Sequence, residues 1–307
     1  MKKIVLNVLT LLLVSFFCFC KTADRSAVLL NRDGSPKKPL LSLLNMLHIA
    51  HDGTLKTIVE ATQKEWLRGS RKERWEIPEQ YEEKREEIIS GLEQLNCVYK
   101  ISAEKKQYRY AIVLGALASR VRSRLAFLID QWNSGVRFDE LIFLGGTRPL
   151  HTKLENKELL LDSHNKELPF KKDWKLEGPL PKTEYEMIKM IFDQSDLPDE
   201  LKKNVVVTFI DTPMQKKSDG TLRRPNTEDT IGSWLSENPK PGTCLVISNQ
   251  PYVGYQDSVV RTLLPKDFYI ETIGCEAYHD LPIVVHLDNI TRWLYQERKR
   301  RNKSYLV

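Results

Sequence analysis

The sequence predicts an α/β fold: an open, mostly parallel sheet with a helical extension at the N-terminus. Three observations carry this. Tyr110-Ala-Ile-Val-Leu114 and Glu140-Leu-Ile-Phe-Leu144 are short apolar runs rich in β-branched and aromatic residues, the pattern of strands buried on both faces. Between them Val121, Leu125, Leu128 and Trp132 recur at helical spacing and lie on one stripe, and Asn133-Ser-Gly135 ends that helix. Strand, helix and strand make a βαβ unit whose crossover should be right-handed, and the chain downstream repeats the theme.

The elements follow in order. Residues 21–36 are polar, with a turn at Asn31-Arg-Asp-Gly34. From Pro39 to Arg68 the pattern is helical, carried by Leu41, Leu44, Leu47, Ile58, Ala61 and Trp66. Asp52-Gly53-Thr54 is expected to divide it, with Thr54 as a cap. Pro78 to Asn96 reads as a third, charged helix, so residues 21–105 form a helical region ahead of an α/β domain over 106–307. That region either covers part of the sheet or binds a partner. After Gly145-Gly146 comes a long polar excursion, 147–182, of the kind that forms lids and binding loops. Thr183-Glu-Tyr-Glu186 is a capping box opening a helix through Ile191. Asn204 to Ile210 is the third strand, 211–225 is irregular, and Asn226-Thr-Glu-Asp229 opens the next helix. Strands are expected at 242–248 and 268–273, with a helix from Tyr252 to Leu264 between them. Ile283 to His286 reads as a sixth strand and Asp288 to Arg301 as a closing helix.

With 307 residues the chain can hold one large α/β domain and an appendage. The formal charge of +6 is mild and the signs are intermixed, so no nucleic-acid partner is expected. Arg298, Lys299, Arg300, Arg301 and Lys303 form the one dense basic run, read as the solvated end of the last helix, where cations suit the helix dipole. Lys2-Lys3 followed by the apolar Ile4 to Cys20 reads as a signal peptide or membrane anchor over residues 1–20. The expected location is therefore exported, in a periplasm or anchored to a membrane through the N-terminus. Cleavage, lipidation at Cys18 or Cys20, and retention all remain open. In an oxidising compartment the odd trio Cys97, Cys244 and Cys275 leaves at least one thiol unpaired. No Cys/His spacing suggests a metal, and His48 with His51 is a bare pair.

Both long segments, 147–182 and 211–225, leave the C-terminal ends of strands, the edge at which open α/β sheets bind ligands. There is no dinucleotide or P-loop glycine signature and no G-x-S-x-G, which excludes those site types and makes Ser248 a poor triad nucleophile. Gly115 lets the chain turn out of the first strand onto a helix N-terminus, a ready anion site. Arg120, Arg122 and Arg124 oppose the dipole of that helix, which is tolerable if an anion sits there, either a ligand or a protein carboxylate. Asn226 with Asp229, and Thr183 with Glu184, carry two readings each: capping, or chemistry at the rim.

Val113-Leu-Gly-Ala116, Arg124-Leu-Ala126, Ile142-Phe-Leu-Gly-Gly146, Thr183-Glu184, Asn226-Thr227-x-Asp229 and Leu245-Val-Ile-Ser-Asn249 occur in this order. As a set they resemble the YdcF/SanA/ElyC-like family, a bacterial envelope-associated domain, over roughly residues 108–275. The resemblance implies a Rossmann-like fold with a polar cleft at the C-terminal strand edge. It also implies an anionic or nucleotide-like ligand, such as S-adenosylmethionine, or an envelope glycan precursor, and a role in envelope polysaccharide metabolism. On this reading Gly115, Arg120, Arg124, Gly146, Asn226, Thr227 and Ser248 bind the ligand, and Glu184 and Asp229 are the carboxylates available for catalysis. The cofactor is unspecified. Two departures stand out: the family's Asn-Thr-x-Glu-Asn is Asn226-Thr-Glu-Asp-Thr230 here, and its Tyr-His and Arg after the fourth strand are replaced by Pro251-Tyr252 and Tyr255. Loss of that His and Arg favours a binding role or an altered substrate. The alternative is a non-catalytic scaffold that binds a partner through its N-terminal helices.

Overall fold

Gln107–Leu114 forms β1, the middle of a five-stranded sheet, and pairs in parallel with a neighbour on each side. The computed structural model describes residues 24–68, 78–165 and 167–304; the export segment expected at 1–20 lies outside them. From β1 the chain runs through α4 (Ala118–Asn133) to β2 (Arg137–Gly146), then through α6 (Glu184–Gln194) to β3 (Val206–Thr212). It returns through α8 (Thr227–Ser236) to β6 (Thr243–Asn249), and α9 (Val253–Leu263) leads to β7 (Tyr269–Cys275). The strand order is β3-β2-β1-β6-β7, all parallel, so the fold is α/β and Rossmann-like with its order reversing between β1 and β6. Short elements α5 (Lys157–Leu160) and α7 (Asp199–Asn204) punctuate the crossovers, and a hairpin of β4 (Gln215–Lys216) and β5 (Leu222–Arg223) stands in the 211–225 segment.

Period-two alternation in the strands divides the core. Ala111, Val113, Leu141, Phe143, Leu245 and Ile247 pack against α4 and α6, while Tyr110, Ile112, Ile142, Leu144, Cys244 and Val246 pack with Ile231 and Trp234 of α8. A third cluster lies outside the sheet. It joins α1 (Lys38–Met46), α2 (Leu55–Glu65) and α3 (Arg85–Gln94) to the closing helix α10 (Ile283–Ser304) through Leu43, Ile58, Leu92, Leu287, Ile290 and Trp293. The break before α2 is as expected: Gly53 has φ +86° and the Thr54 hydroxyl accepts from Thr57 N at 3.3 Å.

One expectation is corrected. Ile283 to His286 is not a strand but the first turn of α10. The β-branched run Ile283-Val284-Val285 is overridden by apolar residues at helical spacing, Ile283, Leu287, Ile290 and Leu294, all buried against the N-terminal helices. The Glu82 carboxylate, from the 3-10 turn before α3, accepts from Ile283 N at 3.1 Å and caps the new N-terminus. At the other end the basic run is not simply solvated. Arg300 binds Asp24 and Glu297, Lys299 binds Glu228, and Arg301 donates to the carbonyls of Asn31 and Arg32.

The two margins of the sheet differ. Along β7, Arg261 donates to Ile270 O at 2.8 Å, Arg25 to Thr272 O at 3.1 Å, and Ile101 exchanges both backbone bonds with Gly274. Among the described residues, 206–211 of β3 make no backbone bonds beyond those to β2, and Val206 is 62 % exposed.

Candidate functional site

At the reversal of strand order the chain leaves β1 through Gly115. A side chain there would place its Cβ 2.5 Å from Leu144 O and 3.1 Å from the Glu184 carboxyl, so glycine is what lets a carboxylate lie against the main chain. Arg124 is buried beneath it. Its guanidinium donates to Asn249 Oδ1 (3.0 and 2.8 Å), Leu114 O (2.6 Å) and Gly115 O (3.0 Å), tying the C-terminal ends of β1 and β6 together. Burial pushes the guanidinium down to about 10, so it remains a cation at neutral pH.

The anion expected at the start of α4 is a protein carboxylate. Glu155, from the long excursion, accepts from Ala118 N at 3.2 Å and His151 N at 2.7 Å, and forms a two-point pair with Arg148 at 2.7 and 2.9 Å. Arg148 then reaches Glu184 Oε1 at 3.4 Å. Neither Arg148 nor Glu155 stood out in the sequence. Arg148 follows a strand-terminal Gly-Gly, which was a usable signal; Glu155 sits in a Lys/Glu-rich stretch that gives none.

Glu184 opens α6 behind the Thr183–Glu186 capping box and is 7 % exposed. Burial raises its carboxyl from 4.5 to about 6, with Arg148 pulling it down and Glu155 pushing it up. A carboxyl raised on folding stays protonated in the native state while the unfolded chain ionises. Stability should therefore fall by about 2 kcal/mol as pH rises from 4.5 through 6. His286 works in the opposite direction: burial, then Arg85, lowers it to about 4, with Glu82 opposing and Arg120 assisting, so its share is lost as pH falls from 6.5 towards 4. Urea unfolding of wild type and Glu184→Gln at several pH values separates the two. The difference between them should grow from pH 4.5 to 6.5, because His286 contributes equally to both proteins.

The three arginines of α4 diverge. Arg122 is buried and donates to Leu160 O and Gln194 Oε1, both at 2.8 Å. Arg120 is half-buried in the first turn with its guanidinium 3.9 Å over the Tyr278 ring, and no carboxylate pairs with it among the described residues. The Tyr278 hydroxyl and the Ser123 hydroxyl both donate to Glu167, at 2.7 and 2.6 Å, which holds the excursion against the connection after β7.

The remaining candidates lie on the α8 side. Asn226 and Asp229 form a reciprocal capping box, and Asp229 also pairs with Arg223 at 2.5 and 2.9 Å. Burial works to raise the Asp229 carboxyl, but Arg223 and the Asn226 amide outweigh it and hold the group below its usual range. Gly146 leaves room for Pro225, the residue before the cap, and Thr227 is the first residue of α8. Ser248 is fully buried and faces α9, its hydroxyl on the Gln256 side chain. The structure thus brings Gly115, Arg124 and Glu184 together at the strand reversal, and Gly146, Asn226, Thr227 and Asp229 together at the end of β2. Glu184 and Asp229 stand on helices of opposite sheet faces, and no hydrogen bond or ion pair joins them among the described residues. No group of three or more metal-binding side chains occurs among the described residues.

No protein-family model matches this chain, and no curated protein matches it.

Proposed function

We propose that this is an exported, envelope-associated protein that binds an anionic or nucleotide-like ligand in the crevice where the strand order reverses, and that it serves envelope polysaccharide metabolism as the family resemblance implies. The observation that carries the binding site is Arg120. A half-buried guanidinium stacked on Tyr278, at the C-terminal strand edge and without an acidic partner among the described residues, is a cation presented to a ligand. Gly115, Ala116 and Leu117, all half-buried, lead from β1 into the helix whose first turn carries Arg120. Arg124 supports this reading indirectly, by holding β1 and β6 in register beneath the crevice.

Glu184 rather than Asp229 is the group suited to proton transfer on a bound substrate. Burial raises its carboxyl to about 6, toward neutrality, whereas Arg223 holds the Asp229 carboxyl below its usual range. Calorimetric titration with AMP, S-adenosylmethionine and glucose 1-phosphate tests the proposal. At least one should bind, and Arg120→Gln should weaken it about tenfold to a hundredfold, the worth of one charge-assisted contact, with the melting temperature unchanged. Binding that survives the substitution, or no binding by any of the three, sinks the reading.

A further inference from the structure

A cavity of about 340 Å³ lies between α2 and the layer formed by α8, α9 and α10, and none of Gly115, Arg120 or Tyr278 lines it. Its walls are polar and amphipathic: Gln63, Asn226, Thr227, Tyr255, Tyr295 and Gln296. The cations that reach it are already balanced. Lys299 pairs with Glu228 at 2.5 Å, and Arg292 grips Asp288 at 2.9 and 3.1 Å. The α8 N-terminus is balanced too, because Glu228 and Asp229 occupy its first turn. An external anion therefore finds no uncompensated charge here.

We infer that this cavity is a binding site for a neutral, hydroxyl-rich ligand, a sugar unit of a glycan. Gln63 of α2 offers a donor and an acceptor, and Asn226, the α8 cap whose Oδ1 takes the Asp229 amide at 3.1 Å, offers its NH2, the complement of vicinal hydroxyls. The Gln296 amide nitrogen donates to Thr262 Oγ1 at 3.1 Å, which leaves its carbonyl oxygen as the acceptor; the residue is only 4 % exposed, so that geometry is fixed. Tyr255 and Tyr295 supply ring faces, whose negative quadrupole attracts the C–H face of a pyranose. Tyr295 is 44 % exposed, a large aromatic surface open to a ligand, with the Arg298 guanidinium 5.8 Å from its ring centre. Thr291, fully buried with its hydroxyl on Thr62 O and Leu287 O, closes the floor. The volume is at the small end of ligand pockets, about 300–1,000 Å³, and suits one or two sugar rings rather than a dinucleotide. The site also gives the N-terminal helices a role, since α2 forms one wall.

Saturation-transfer NMR and calorimetry on the folded chain with glucose, N-acetylglucosamine and N,N′-diacetylchitobiose test this, with inorganic phosphate as the anionic control. At least one sugar should bind. Tyr295→Ala and Gln63→Ala, at positions that are not fully buried, should each weaken it about tenfold without lowering the melting temperature. Arg120→Gln should leave sugar binding unchanged, which separates this site from the anion crevice. The inference is overturned if none of the three sugars binds, if phosphate competes for the same cavity, or if both variants bind as wild type does.

Discussion

Arg124→Ala is expected to destabilise the fold by about 3–5 kcal/mol, measured as a drop in urea midpoint at unchanged slope. The substitution leaves Asn249 Oδ1 and the Leu114 carbonyl buried, and the Gly115 carbonyl half-buried, without the donor they share, at about 1–3 kcal/mol for each group that water cannot reach, and it opens a cavity where the side chain lay. Lysine should restore less than half of the loss. An ammonium is a compact point charge and cannot reproduce the planar fork that bridges both strand ends. A variant that melts like wild type would show that Arg124 does not hold β1 to β6, and the support it lends to the crevice would fall with it.

Trp293→Ala should cost about 3–5 kcal/mol as well, through the cavity it leaves between the N-terminal helices and the body. Its ring lies directly over Gly254, so close that a Cβ at 254 has no room. Gly254→Ala alone is therefore expected to cost about 1–3 kcal/mol from overpacking. In the Trp293→Ala background the same change should cost almost nothing, and the double-mutant cycle should return a coupling of about 1–3 kcal/mol. Additive costs would mean that the two residues do not share a contact. Trp293→Phe should retain most of the stability, because the indole N–H it removes is buried without a partner.

β1, β2 and β6 were legible because burial on both faces writes itself as apolar runs, and β3 and β7 because β-branched and aromatic residues dominate them. All five lie where Tyr110, Glu140, Asn204, Gly242 and Phe268 open such runs, to within a few residues. The capping boxes at Thr183 and Asn226 were legible for the same local reason: cap and third residue lie in one turn. Ile283 to His286 misled because β-branched residues suit a strand, whereas its partners, Leu43 and Ile58 among them, are far away in sequence. The candidate site was legible only in part. Gly115, Arg124 and Glu184 do meet, but the partner set that makes Arg124 a brace and gives Glu155 the helix terminus is tertiary. No spacing rule distinguishes an arginine that faces a ligand from one that faces the carbonyls beneath it. Arg124 faces the carbonyls, and Arg120, one turn away on the same helix, stacks on Tyr278.

The unequal margins of the sheet fix the direction in which it can be extended. At β7 the outward carbonyls are already engaged by Arg25 and Arg261, and Ile101 takes up Gly274, so an incoming chain finds no vacant ladder. Lateral growth by main-chain pairing, whether by a second copy or by a peptide, is confined to the β3 side. Two molecules joined that way would share one continuous ten-stranded surface, with their two crevices at opposite ends of it if the pairing is antiparallel.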